Sequence, residues 1–587
     1  MTSIPFITLS KKLLFNARLP LLFFCIGLIA YKFYLLEINS RAILGCDWCL
    51  VRKAIFFELQ FLFLLGILHF VAGFSRWYWL RFSLRLSVIA ILLIMAIDLI
   101  VLQQFLVRFT WHEFLKFVSE FSAIMDFSRQ LIVSFWSALI AAMVISIILW
   151  VLGRYLILDN ATTRSPVFLA FVAFGLFGTE YLKPTEFHGP YLQNSIEAFF
   201  SSQTRHRPYS DDFANKILAE PEEESRCYEG VGARPDLILL IVESLSMYHS
   251  KLFSGLRDWT PQFDSVSQNG RWFSNFYANA INTEQGLVAL LTGEPAIARG
   301  TGNASTPLFE QFQSSKHTVP HLLNDLDYYT AFLTTGNLGF LGKGDWLKKI
   351  GFNLIEGHDA AYYDGMKRFH FDAAPDQALY DRALIELQTH HRKKPVFLTL
   401  ETVSTHHPFI DPESAAQSEE LVFRYADRAL GVFVENLKSI GFFDNGYLMI
   451  VSDHRAMVPA SQDEMVRFGD RAYARIPFSI IGYGLNNEEV VDPFSQIDLL
   501  PSLHHWLSQD RHCVNANQGI FLPKTKHQPA CIFTRRSYAL DDVFIHCGDE
   551  DYIIRLDGDR SHYVGAKPPH DLLGSIHRLR LGKDSSH

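Results

Sequence analysis

Apolar positions along this chain follow two rhythms. In the first third they form long blocks at residues 19–36, 54–74, 86–107, 131–152 and 166–182, each close to the roughly 20 residues a helix needs to cross a bilayer. From residue 233 onward the runs shorten to strand length and alternate with helical periodicity. Strands are predicted at 237–242, 396–400, 447–451 and 478–482, and helices at 284–291, 376–387 and 419–440. That alternation predicts a doubly wound α/β domain. Two further alternating runs, 538–545 and 552–556, lead into Asp557-Gly558-Asp559 and predict a small antiparallel C-terminal extension. The chain therefore reads as multi-domain: a five-helix transmembrane bundle over 1–183, a polar juxtamembrane linker over 184–232, and an α/β domain over 233–587.

The first block is too long for a removable signal peptide and lacks a small-residue cleavage site. Lys11, Lys12, Arg18, Arg76, Arg81, Arg85, Arg154 and Arg164 flank the blocks on one side. Arg41, Arg52, Lys53, Arg108, Lys116 and Arg129 flank them on the other. The larger group marks the cytoplasmic side, and an odd number of spans then puts the α/β domain outside. Glu58 and Asp98 lie inside the blocks and read as polar links between helices. Residues 109–127 read as an amphipathic helix on the outer surface.

A formal net charge of −8 gives no reason to expect nucleic acid as a partner. Of the seven cysteines, Cys25 lies in the first block and Cys46-Asp-Trp-Cys49 in the loop after it. The latter reads as a local disulfide or two idle thiols. Cys227, Cys513, Cys531 and Cys547 belong to the soluble part, where an extracytoplasmic setting favours pairing; Cys513 with Cys531 is the preferred bridge.

Two strand-length runs end in hard ligands: Asp236-Leu-Ile-Leu-Leu-Ile-Val-Glu243 and Tyr447-Leu-Met-Ile-Val-Ser-Asp453-His454. Such continuous Val/Ile/Leu runs suit parallel strands buried on both faces. In open α/β sheets the active crevice lies beyond the carboxyl ends of the strands, so two carboxylates and an imidazole are expected to meet there. Between them, Asn282-Thr283-Glu284-Gln285-Gly286 opens a helix. Thr283 has two readings: an N-cap whose hydroxyl accepts a backbone N–H, or a nucleophile at a helix N-terminus that also favours phosphate.

In the order strand–Glu243, helix-start Thr283, Ser404-Thr405-His406-His407-Pro408-Phe409 and strand–Asp453-His454, the chain resembles the membrane-anchored branch of the alkaline phosphatase/sulfatase superfamily. It is similar in particular to the lipoteichoic acid synthase family with its phosphoglycerol transferases. The resemblance implies a sulfatase-like extracytoplasmic domain on the cytoplasmic membrane of a bacterium. It implies one divalent cation held by Glu243, Thr283, Asp453 and His454, with Thr283 as the nucleophile that becomes phosphorylated and His406 beside the phosphate. Manganese is favoured; Mg²⁺ and Zn²⁺ suit the same donors. The implied partners are a phospholipid donor, a glycan or glycolipid acceptor and the membrane.

Where the family shows His-Gly-Asn and then Phe-Trp-Asn-Arg, this chain has Thr335-Gly336-Asn337 and Phe340-Leu341-Gly342-Lys343. Asn337 and Lys343 are expected substrate contacts, Lys343 as a point charge without the bidentate fork of Arg. Arg455 is either a second phosphate contact or a surface cation. His249, His358, His504, His505 and His512 read as surface or packing residues, and His407 as pointing away from the site. The rival activity is phosphoethanolamine transfer, whose enzymes carry a Cys-flanked Thr that is missing here. A non-catalytic sulfatase-like membrane regulator is the rival outside enzymes.

Overall fold

A computed structural model describes residues 18–39, 48–74, 77–105, 108–111, 193–201, 207–220, 225–297, 308–312, 317–369, 372–390, 393–458, 460–535 and 542–581, with isolated positions 114, 174, 175 and 178. The chain divides into two compact units, Met1–Gln203 and Thr204–His587.

In the first unit the first three apolar blocks are helices: α1 (Arg18–Asn39), α2 (Cys49–Phe74) and α3 (Tyr78–Phe105). Ile29, Phe61, Leu65, Leu92, Met95 and Leu99 pack between them. By length and composition one helix among the described residues, Tyr78–Gln103 with mean hydropathy 2.6, is long and apolar enough to cross a membrane. The fourth block, nearly all of the fifth, most of 109–127 and Cys46 lie outside the described residues. The two buried acids are paired: Glu58 with Lys32, and Asp98 with Arg108 at 2.6 Å. Lys32 and Arg108 both also donate to the carbonyl of Gln193. Pairing of this kind is how ionisable groups are tolerated among apolar helices, as expected of polar links.

The second unit is built on an eight-stranded sheet. Its strands are β1 (Asp236–Val242), β2 (Arg271–Phe273), β3 (Tyr329–Thr334), β4 (Leu354–Glu356), β5 (Val396–Glu401), β6 (Gly446–Ser452), β7 (Phe478–Gly482) and β8 (Glu488–Val490). Across the sheet they run β8-β2-β7-β6-β1-β5-β3-β4. Every neighbouring pair is parallel except those made by β7, which is antiparallel to both β6 and β2. The central position of β1 explains its unbroken apolar run, since all seven residues are buried.

Strand residues alternate between faces. Leu237, Leu239 and Ile241 of β1 face the same side as Phe397 of β5 and Met449 and Val451 of β6, and all join one core with Leu287, Val288 and Leu291 of α4 (Thr283–Thr292). The opposite face, including Ile238, Leu240, Leu398, Leu400, Leu448 and Ile450, is equally buried. There α6 (Asp376–His390) packs on β5, and α7 (Glu419–Ser439) packs on α6. Each such side chain contributes about 1.5–3 kcal/mol relative to exposure. A seven-residue helix, α5 (Lys343–Lys349), precedes α6.

The predicted C-terminal extension is a four-stranded antiparallel sheet, 532–534, 542–547, 550–557 and 560–564. An unpredicted helix, His570–Leu581, follows it. Part of the predicted linker is not a linker. Helix Asp211–Ala219 packs on His570–Leu581, Tyr209 Oη meets His577 Nδ1 at 2.6 Å, and Ser210 bonds Asp559. The disulfide expectation is corrected as well: Cys227 pairs with Cys513 and Cys531 with Cys547. Strands 226–229 and 511–514 align Cys227 opposite Cys513, and the 542–547 strand carries Cys547 back toward Cys531.

Gly286 marks the closest approach of α4 to the sheet. A Cβ there would lie 2.4 Å from the carbonyl oxygen of Asp453. Gly286→Ala is therefore expected to lower stability by about 1–3 kcal/mol and to displace the helix N-terminus from the end of β6. Thermal unfolding of the intact protein in detergent checks this; a melting curve that matches the parent would contradict it.

Candidate active site

Face alternation assembles the site. Counting by two along β1 from Ile241 reaches Glu243, and along β6 from Val451 reaches Asp453. The register pairs Ile241 with Val451, so both carboxylates emerge side by side on the α4 face. Glu243 is 4 % exposed, and Asp453 and His454 are fully buried. One ligand atom from each of the three lies within 4.8 Å of the others.

Thr283 completes the group, and its helix frees it to do so. The N-cap of α4 is Asn282, whose side chain accepts from the N–H of Gln285 at 3.0 Å. The capping reading of Thr283 therefore fails. As the first helical residue it turns its Oγ1 to donate to Glu243 Oε2 at 3.1 Å, with His454 Nε2 at 3.5 Å. Thr283 is half-buried, whereas the carboxylates behind it are sealed.

The charge balance calls for a cation. Burial by itself would raise the pKa of Glu243, but hydrogen bonding and charge from His454, with the charge of His406, hold it below the usual carboxylate range. Burial and then the charge of Glu243 push Asp453 up. Burial opposes charge on His454, yet Asp453 and then Glu243 hold it well above the ordinary imidazole value. A proton on His454 thus stands where a metal ion would sit.

The donor set fits such an ion. Asp453 Oδ1 accepts from the N–H groups of Ser244 and His454, while the buried Oδ2 faces only His454 Nε2, at 3.2 Å. His454 Nδ1 donates to the Arg455 carbonyl at 2.8 Å, which orients Nε2 toward the carboxylates as a metal-bound histidine requires. Two carboxylates, an imidazole and a hydroxyl suit a borderline-hard divalent cation.

Neighbouring residues brace the group. Ser244, at φ +59°, bonds Glu243 Oε1 through its hydroxyl; backbone strain of this kind collects at functional sites. Thr402 accepts the N–H of Glu243, and Thr405 donates to its carbonyl at 2.6 Å. Asp376, at the start of α6, accepts from the N–H groups of Val403 and Ser404 and so holds the segment that carries His406. His406 Nδ1 donates to the His407 carbonyl at 2.5 Å, which fixes the orientation of the ring. The segment is a turn and not extended, with Phe409 N–H donating to the His406 carbonyl, and the His407 ring packs on Phe409.

Lys343 is paired, its Nζ 2.6 Å from Glu401 Oε2. Asn337 is half-buried and accepts from the Gly339 N–H. Arg455 is neither a surface cation nor aimed at a phosphate. It is buried in a two-point pair with Glu464 and donates to the carbonyls of Ala456 and Val458. His249 stacks on Phe423, while His505 and His512 are buried against each other, as expected of packing residues. Sequence reasoning missed Glu401, although it ends the apolar run of β5 just as Glu243 ends that of β1.

Residues 235–509 match the sulfatase family. Phosphoglycerol transferase I of Xanthomonas axonopodis pv. citri is 28 % identical over 191 residues, covering 30 % of this chain and 27 % of the relative. Lipoteichoic acid synthase 1 of Bacillus subtilis is 22 % identical over 320 residues, 50 % of this chain and 48 % of the relative. The chain thus spans from about a quarter to about half the length of these curated relatives. Among solved structures, an alkaline phosphatase superfamily protein from Vibrio parahaemolyticus covers 63 % of this chain and 92 % of its own at 20 % identity and TM-score 0.47. A lipoteichoic acid synthase from Listeria monocytogenes covers 64 % and 97 % at 17 % identity and TM-score 0.47. Residues 235–509 thus match the sulfatase family model, and the chain is similar to phosphoglycerol transferase I and lipoteichoic acid synthase 1.

Proposed function

We propose that this protein is a membrane-anchored transferase that moves a phosphorylated head group, phosphoglycerol, from a phospholipid to a hydroxyl of a glycan or glycolipid. The observation that carries this reading is the Thr283 hydroxyl, freed from capping at the start of α4 and set within 3.1 Å of Glu243 and 3.5 Å of His454. The named relatives supply the substrate class.

Glu243, Asp453, His454 and Thr283 would hold one divalent cation, manganese favoured. Bound there, it lowers the pKa of the Thr283 hydroxyl and neutralises phosphate charge. Thr283 Oγ1 attacks phosphorus as the P–O bond to diacylglycerol breaks, the Oγ1 proton passes to the departing diacylglycerol oxygen, and the head group remains on Thr283 as a phosphodiester. His406 takes the proton of the acceptor hydroxyl as that oxygen displaces Thr283, and returns it to the departing Thr283 Oγ1. Positioning and charge neutralisation carry most of such a transfer. Asn337 and Lys343 line the donor side.

Five spans and an extracytoplasmic catalytic domain belong to the same proposal. Two disulfides in the soluble unit support it, since such bonds persist in oxidising compartments. That all three non-hydroxyl ligands gather as a set weighs against a non-catalytic regulator.

Thr283→Ala should reduce transfer by roughly 10⁴-fold or more, as loss of a nucleophile does elsewhere, and should remove a glycerophosphoryl adduct seen by mass spectrometry after incubation with phosphatidylglycerol. An adduct on another residue would sink the nucleophile assignment. Asp453→Asn should leave the purified protein without its bound metal in elemental analysis, while the parent retains one ion per chain; equal metal content would contradict the ligand set. Non-reducing peptide mapping of membrane-extracted protein should join Cys227 to Cys513 and Cys531 to Cys547. Recovery of these four as free thiols would argue for a reducing compartment.

A further inference from the structure

The amino edge of the sheet, opposite the catalytic crevice, carries a basic cavity that the proposed transfer does not use. Its volume is about 480 Å³, and the polar residues lining it are Arg226, Thr525, Lys526, His527 and Gln528. Two contacts fix its place. Arg271, the first residue of β2, donates to the carbonyls of Phe521 and Pro523, in the loop that supplies most of the lining. The Val231 N–H, ahead of β1, donates to the His505 carbonyl. The seven residues of β1 separate this edge from Glu243, so the cavity lies roughly 20 Å from the catalytic crevice. In the ribbon of strands 226–229 and 511–514, Arg226 and Tyr228 share one face. The Tyr228 hydroxyl meets His527 Nδ1 at 3.3 Å, and the other ring nitrogen, Nε2, is buried with no hydrogen bond. Beyond Tyr228 stands a further imidazole. The His505 ring centre is 6.0 Å from that of Tyr228, and both its nitrogens are buried without hydrogen bonds. Among the described residues neither Arg226 nor Lys526 makes an ion pair or a side-chain hydrogen bond. Two unpaired cations and an orphaned imidazole nitrogen, with no carboxylate in the lining, leave a surplus of donors that an oxyanion satisfies.

We infer that this amino-edge cavity is a second ligand site, built to take an organic phosphate. The Arg226 guanidinium matches two phosphate oxygens, and Lys526 adds a point charge. With Nδ1 accepting from the Tyr228 hydroxyl, His527 carries its proton on Nε2 and donates it to a third oxygen. A bare phosphate would leave most of the space empty, since the volume falls in the roughly 300–1,000 Å³ range of small-molecule sites. The organic part of the ligand meets Thr525 and Gln528, which both donate and accept as the hydroxyls of an alcohol require. None of these residues belongs to the group Glu243, Asp453 and His454, so binding here needs neither that cation nor Thr283. The site therefore stands independently of the transfer reading. A soluble phosphate ester and a phospholipid head group present the same chemistry to it.

The test is isothermal titration calorimetry of the full-length protein in neutral detergent, with sn-glycerol 3-phosphate and dihexanoyl-phosphatidylglycerol as probes. The parent is expected to bind at least one of them at a site whose Kd rises about tenfold or more in Arg226→Ala and in Lys526→Ala. That Kd should stay unchanged in Thr283→Ala and Lys343→Ala. Binding of sn-glycerol 3-phosphate identifies a soluble ester as a sufficient ligand; binding of the lipid alone identifies a head group. Arg226 and Lys526 are exposed, so both variants should melt with the parent, and Lys526→Ala decides if Arg226→Ala unfolds. Failure of both probes to bind would overturn the site. So would binding that Thr283→Ala abolishes while Arg226→Ala and Lys526→Ala leave it intact, since the ligand would then occupy the catalytic crevice.

Discussion

Everything at the carboxyl edge of this sheet follows from one electrostatic constraint. Two carboxylates and an imidazole, almost wholly removed from water, have donor atoms within 4.8 Å of one another. In a poorly solvated interior such a group is untenable unless positive charge joins it. A proton drawn to His454 does this in part, pairing His454 Nε2 with Asp453 Oδ2 at 3.2 Å; a divalent cation does it fully. The fold fixes the oxygen positions before any ligand arrives. Parallel register sets Glu243 and Asp453 together, Ser244 and Thr405 hold Glu243, and the Arg455 carbonyl fixes the His454 ring.

The same constraint explains why α4 begins where it does. Gly286 lets the helix press against the Asp453 carbonyl, and Asn282 takes the capping role. Thr283 is left with its hydroxyl over the carboxylates and half open to substrate. Had Thr283 been the cap, its oxygen would be committed to a backbone N–H and unable to serve the proposed attack. Arg455, one residue past the ligand pair, anchors the following loop through Glu464 and contributes rigidity instead of a phosphate contact.

Much of this was legible in the sequence because central parallel strands are buried on both faces, which leaves an unbroken apolar run whose end is conspicuous. The runs ending at Glu243 and Asp453 gave the site and the sheet together. Glu401 ends a run of the same kind, but Thr399 interrupts it and no motif draws the eye there. Thr283 reads as cap or nucleophile in the sequence, with Asn282 assigned no capping role there; both residue types cap well, and backbone geometry alone gives the role to Asn282. The Cys227–Cys513 bridge, with a sequence separation of 286, depends on strand register that no local pattern encodes. The 184–232 segment looked like a linker because its polar composition hides helix Asp211–Ala219, which is held by packing on a C-terminal helix far away in sequence.

The most direct measurement is anomalous diffraction from crystals of the protein grown with Mn²⁺. A single strong peak bonded to Glu243, Asp453 Oδ2, His454 Nε2 and Thr283 Oγ1 is the predicted result. A Mn²⁺ peak elsewhere, with His454 still protonated between the two carboxylates, would contradict the shared-cation account.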